Sequence, residues 1–254
     1  MRSLNPSSPR PTKRVLPCLA TAPTPLFAHA DCEANFPKWM AQLHSGRTLD
    51  DVHARCRVWP AHPMQTIAVL PRPHANANDK AGEIDLEVLV ADTRSGTSVA
   101  RTFEPSAIRY DAVRFGALDV DIKPYPLAPG NPAFGVSVEH EYTPIAAPKG
   151  EVSTSLYVID GQRLRKVLDR LQLDHAHGRY DIRGVGFYVG TQRTIEFGPA
   201  GEDGYAALKI KEKSVRTENK DLNDNADKQT TYRNYTIEYR NVTYRAPKNL
   251  TALY

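Results

Sequence analysis

The sequence predicts a mainly β protein: an antiparallel β-sandwich or barrel behind a short N-terminal helical pair, with a small β-propeller as the alternative. Three observations carry that reading. Apolar and polar residues alternate in several runs, as at Ile84, Leu86, Val88 and Val90. Turn chemistry separates the runs, as at Asp160-Gly161. Clear helical spacing lies before Pro60, and no repeat of fixed period supports a propeller. With 254 residues, 41% hydrophobic and 24% charged, the chain can enclose a core as one domain, or one domain with an appendage.

Residues 1–30 read as a signal peptide. Arg2, Arg10, Lys13 and Arg14 precede an apolar stretch from Val15 to Ala30, and Ala28-His29-Ala30 forms a small-residue cleavage site before Asp31. Pro17, Pro23 and Pro25 interrupt the apolar stretch, so a Pro/Ser-rich leader is the alternative. The formal charge of +4 resides in this segment, because without those four of its 33 bases the chain balances its 29 acids. A neutral body argues against a nucleic-acid partner. No stretch is long and apolar enough for a transmembrane helix. Cleavage discards Cys18 and leaves Cys32 and Cys56, an even pair expected to form a disulfide in a periplasmic or secreted protein. The domain plan is therefore a leader (1–30), a disulfide-stapled helical prefix (31–60) and an antiparallel β domain (61–254).

In the prefix, Phe36, Trp39, Met40 and Leu43 share one helical face until Ser45-Gly46. Thr48 and Asp51 resemble a capping box opening a second helix, with Leu49, Val52 and Cys56 on a face, ended by Trp59-Pro60. A strand follows at Thr66–Leu70, then a loop from Ala75 to Gly82. Ile84–Val90 and Val99–Phe103 form a hairpin about Asp92–Gly96. Leu118, Val120 and Ile122, then Phe134, Val136 and Val138, alternate as two half-buried strands joined by a loop holding Pro124, Pro126, Pro129 and Pro132. Glu151–Ile159 turns at Asp160-Gly161. Leu164, Val167, Leu168 and Leu171 suit a helix, but the preceding turn favours a returning strand. Short strands follow at Phe187–Val189, Thr194–Phe197 and Tyr205–Ile210. Lys213–Gln229 reads as a long exposed loop, and Tyr235–Tyr239 with Val242–Tyr244 as a hairpin about Arg240-Asn241.

Three pieces, Cys56-Arg57-Val58-Trp59-Pro60-Ala61, Val90–Gly96 and Ala133-Phe134-Gly135-Val136 before the Asp160-Gly161 turn, resemble uncharacterised secreted proteins of Gram-negative bacteria. The resemblance implies an exported, mostly β body from Asp31 onward and brings no activity with it.

Chemistry-bearing patterns are sparse. There is no G-x-S-x-G elbow and no phosphate-cradling glycine loop, and pairing would occupy both mature cysteines. His175 and His177 form an H-x-H that suits a transition ion if a third ligand converges, though Asp174–Gly178 reads as a solvated turn. Asp221, Asn223, Asn225 and Asp227 imitate a calcium loop, but Ala226 replaces its glycine and Tyr232 its glutamate. The candidate binding face is acidic: Asp119 and Asp121 on one strand, Glu139 and Glu141 on the next. If those strands pair, the face would suit a divalent cation, a basic partner or a carboxylate pair for glycoside hydrolysis; the alternative is a hydrated edge with staggered charges. No cofactor is predicted. The expectation is an exported envelope protein that binds another envelope protein or a glycan. The alternatives are a hydrolase with a loop-assembled carboxylate or His140 site, and a structural envelope component.

Overall fold

A computed structural model describes residues 32–43, 48–78, 80–142, 144, 146–201, 203–220 and 226–254. The leader expectation and most of the calcium-loop imitation lie outside these residues. The protein is mainly β: a nearly closed, mixed, eight-strand barrel-like sheet with one short N-terminal helix.

After a 3-10 turn at Cys32–Asn35, helix α1 (Phe36–Leu43) buries Phe36 and Trp39, with Met40 and Leu43 beside them. A disulfide joins Cys32 to Cys56 in strand β1 (Arg55–Trp59). The helix lies on Ala68 and Leu70 of β2 (His62–Pro73) and on Leu89 and Ala91 of β3 (Gly82–Asp92), and Trp39 Nε1 donates to the Gly96 carbonyl at 2.8 Å. This cover buries β2 and β3 on both faces, which is why Ile67–Leu70 is continuously apolar.

The expected second helix is absent. Asp50 accepts from the His53 N–H at 3.3 Å in a tight turn, and the chain enters β1 with Cys56 opposite Ala68 and Val58 opposite Thr66. The proposed apolar face was only about two turns long and Val52 stays exposed, so ladder pairing with β2 outweighs it.

The remaining barrel strands are β4 (Ser98–Tyr110), β5 (Arg114–Ala128), β6 (Asn131–Tyr142), β7 (Lys149–Asp160) and β8 (Arg163–Tyr180). The order is β1-β2-β3-β4-β8-β7-β6-β5, and Arg57 of β1 reaches Asp119 of β5 at 2.7 Å where the ends approach. Trp59, Ile67, Val88, Leu118, Phe134 and Tyr157 lie in the barrel core. The sheet is mixed because β4 and β8 run parallel. The proline-rich stretch is not a loop: β5 continues through Pro124 and Pro126 with a register shift between Asp121 and Tyr125. Proline is tolerated there because β5 ends the ladder order and, among the described residues, pairs with no strand on its far side.

Residues 164–171 are strand, as the turn predicted. β8 continues beyond them through the H-x-H segment, which is therefore not a turn. Its C-terminal part pairs with β9 (Gly186–Ala200), followed by β10 (Ala206–Asn219) and β11 (Asp227–Ile237). β9 is one strand rather than two, and Lys213–Asn219 and Asp227–Gln229 are strand rather than loop. Both faces of β11 meet water over most of its length, so no apolar period marks it. Leu208, Ile210 and Ile237 pack on Tyr125, Leu127, Leu156 and Leu168, forming a second core outside the barrel. A hairpin of β12 (Tyr239–Arg240) and β13 (Thr243–Tyr244) turns on Asn241 and Val242, whose φ angles are 51° and 63°, and adds Tyr244 to that core.

Candidate functional site

Strands β4 and β8 meet through the pair Arg101↔Arg163, where the Arg101 N–H donates to the Gln162 carbonyl at 3.2 Å. Beyond that pair a cleft of about 650 Å³ opens between them. The sequence explains the parting. Pro105 has no N–H, and Pro105, Ser106 and Ala107 bulge opposite Asp85, between the pairs Leu86↔Glu104 and Ile84↔Ile108. Ser106 takes φ 47°, held by its N–H on Asp85 at 2.8 Å and its hydroxyl on Glu83. On the facing lip Arg170 takes φ 42° and donates its N–H to Ser155 Oγ at 3.0 Å. Two non-glycine residues with left-handed backbone thus border one cavity, strain of the kind that collects at binding sites.

Inside, the Tyr157 hydroxyl donates to Glu104 Oε1 at 3.0 Å, and Lys166 Nζ lies 2.8 Å from both Glu104 Oε2 and Asp169 Oδ1. Burial, reinforced by the Glu104 charge, pushes the Tyr157 phenol well above its usual range, so it remains a neutral donor. Burial opposes the Lys166 charge, but Glu104 and Asp169 outweigh it and hold the ammonium above the usual lysine range.

His140 is 1% exposed and lines the same cleft. Its Nε2 donates to the Arg109 carbonyl at 3.1 Å, leaving Nδ1 as an acceptor with no hydrogen-bond partner. Burial lowers its pKa and keeps the ring neutral. The Tyr254 ring sits 5.6 Å from it. Buried Glu151 fixes that tail, accepting from the Tyr254 N–H at 2.9 Å, the Leu253 N–H at 3.3 Å and Gln172 Nε2 at 2.7 Å. The cleft is charge-balanced, with Glu104, Asp111 and Asp169 against Arg109, Lys166 and Arg170, and the aromatic rings of Phe103, Tyr110 and Tyr254 border it. Chemically it offers the unfilled Nδ1 acceptor of His140 beside aromatic rings, the Tyr157 proton being already committed to Glu104.

The acidic residues singled out in the sequence do not form one constellation. Asp119 stands opposite Ser137 and pairs with Arg57; Asp121 stands opposite Gly135 and binds Lys123 Nζ and the Tyr125 hydroxyl, each at 2.7 Å. Burial opposes the Asp121 charge, but these hydrogen bonds prevail and lower its pKa. Glu139 and Glu141 stand opposite Ala117 and Arg114 and line a separate concavity of about 640 Å³ with Asp174, His175 and Lys213. His175 and His177 share one side of β8 with ring centroids 5.2 Å apart. Among the described residues no group of three or more His, Cys, Asp or Glu is arranged to hold a metal ion.

Sequence reasoning missed Glu104, Tyr157, Lys166 and Asp169. The available signal was Pro105, which breaks a strand pattern, together with charged residues inside the Leu164–Leu171 run. No helix of the described residues is long and apolar enough to cross a membrane. Comparison with protein-family models, curated proteins and solved structures returned no match.

Proposed function

We propose that this is an exported envelope protein that binds a neutral, polyhydroxylated ligand of the glycan class in the β4–β8 cleft. One observation supports the reading: a charge-balanced cavity with an aromatic rim is lined by His140, whose buried Nδ1 has no hydrogen-bond partner. A buried acceptor without a partner costs about 1–3 kcal/mol, which a ligand hydroxyl would offset. Balanced charge disfavours a strongly ionic ligand, and exposed rings suit the apolar faces of sugars. The alternative hydrolase reading receives less support, because Glu104 is already occupied by Lys166 and Tyr157 and so serves as a fixed wall group. The Cys32–Cys56 disulfide is consistent with an oxidising compartment, in keeping with export through the leader.

The test is isothermal titration of residues 31–254 with neutral and anionic oligosaccharides derived from cell-envelope polysaccharides. Binding of a neutral member is expected, weakened about tenfold by His140→Phe, which removes the free Nδ1 acceptor together with the Nε2 bond to Arg109, and by Tyr157→Phe, which releases Glu104 from its place in the wall. Failure of every neutral sugar at millimolar concentration, or binding untouched by both substitutions, overturns the proposal. Intact mass of the protein recovered from cells tests export: retention of Met1 or free thiols at Cys32 and Cys56 would refute it.

A further inference from the structure

Among the described residues, β11 pairs with β10 alone, leaving one edge of an 11-residue strand unpaired. Its register on β10 is unbroken from Leu208↔Ile237 to Glu218↔Asp227, and Asp227–Asn234 are all exposed. Natural edge strands are blunted by proline, by bulges or by shortness, because their outward N–H and C=O groups template another strand. β11 has none of these three; it carries edge charges at Asp227, Lys228 and Arg233, but of both signs, so that a matched strand can satisfy them, and it is rich in Thr and Tyr, which favour extended pairing.

We propose that β11 pairs antiparallel with β11 of a second copy, about a two-fold axis through Thr230. The charges select that partner and that register. With Thr230 opposite itself, Asp227 faces Arg233 on both sides of the axis, Lys228 faces Tyr232 and Gln229 faces Thr231. This gives two opposite-charge pairs, two cation–π pairs and a central Thr–Thr pair. Moving the axis one residue either way leaves Asp227 and Arg233 without each other, and an axis between Thr230 and Thr231 sets Lys228 against Arg233. Both charges can reach across: the Asp227 and Arg233 side chains are 68% and 67% exposed, and their present partners are Lys220 at 2.6 Å and Glu212 at 3.7 Å. The contact is isologous and closes on itself, so it gives a dimer rather than a fibre.

Sedimentation velocity of residues 31–254 at concentrations up to about 100 μM is expected to show a reversible dimer. Asp227→Lys and Arg233→Asp each turn two attractive contacts repulsive and should weaken it about tenfold or more, while Asp227→Arg combined with Arg233→Asp restores it. Thr230→Cys should yield a disulfide-linked dimer on mild oxidation, and Tyr235→Cys, far from the axis, should not. Monomer at every concentration, association indifferent to the single reversals, a double variant no better than the singles, or equal cross-linking at both positions would each overturn the proposal. Circular dichroism confirms that the variants remain folded.

Discussion

Lys166 Nζ lies 2.8 Å from Glu104 Oε2, so one ammonium joins two strands whose backbones have already parted. Replacing it with methionine leaves Glu104 bound to the Tyr157 hydroxyl in a mostly buried setting. Lys166→Met should therefore cost about 2–3 kcal/mol in urea unfolding. The folded-state pKa of Lys166 is raised above the ordinary 10.5, so its contribution is complete below that value and is lost as pH climbs through the raised one. The wild-type protein should lose stability in that alkaline window, and Lys166→Met should lose less.

Folding moves the Glu87 pKa upward, against the direction usual for a carboxylate with basic neighbours. Burial pushes its pKa from 4.5 to about 7, against the pull of Arg101 and Arg72. Between those values the folded state binds the extra proton, so stability falls as pH rises from 4.5 to about 7 and levels off above. Glu87→Gln should flatten that slope and raise the melting temperature at pH 8, a comparison that calorimetry at several pH values makes directly.

Reduction removes the covalent tie between the prefix and the barrel and leaves the helix held by its packing on β2 and β3. The Cys32–Cys56 bridge spans 24 positions, and opening it should cost about 3 kcal/mol through the unfolded chain. Trp39 lies on the buried face of the helix that the bridge anchors, so its fluorescence should report loosening of that helix in dithiothreitol before global unfolding.

Arg193 and Glu212 form a buried pair, 2.8 Å apart and 6% and 5% exposed, and Arg193 also donates to the Gln172 carbonyl and side chain. Removing Arg193 leaves buried Glu212 with only the longer contact to exposed Arg233 at 3.7 Å, so Arg193→Met should cost about 3 kcal/mol. Combining it with Glu212→Met should recover much of that loss. Additive single costs in a denaturation cycle would contradict this account.

The barrel strands were legible wherever apolar residues alternate with polar or small ones, as at Ile84–Val90 and Phe134–Val138, even though Asp85 and Glu87 are themselves buried. Legibility failed where that contrast disappears. At Cys56 a short apolar face was consistent with a helix until β2 supplied a ladder, and in β11 both faces are wet, so strand and loop look alike. The cleft was invisible for another reason. Its walls come from Glu104 and Tyr157, 53 positions apart, and are brought together by a parallel contact that no local pattern encodes. For the acidic face, alternation reports which side a carboxylate takes but not the cross-strand register, which places Asp119 opposite Ser137 and Asp121 opposite Gly135.

β8 serves as wall to both hydrophobic interiors: Leu164 belongs to the barrel core, while Val167, Leu168 and Leu171 belong to the one beneath β10. A chain severed at the exposed turn around Ile182 would keep every barrel strand yet bare Leu156, Val158 and Leu168 to solvent. The two interiors should therefore melt together in one calorimetric transition, since neither set of strands closes its own core alone.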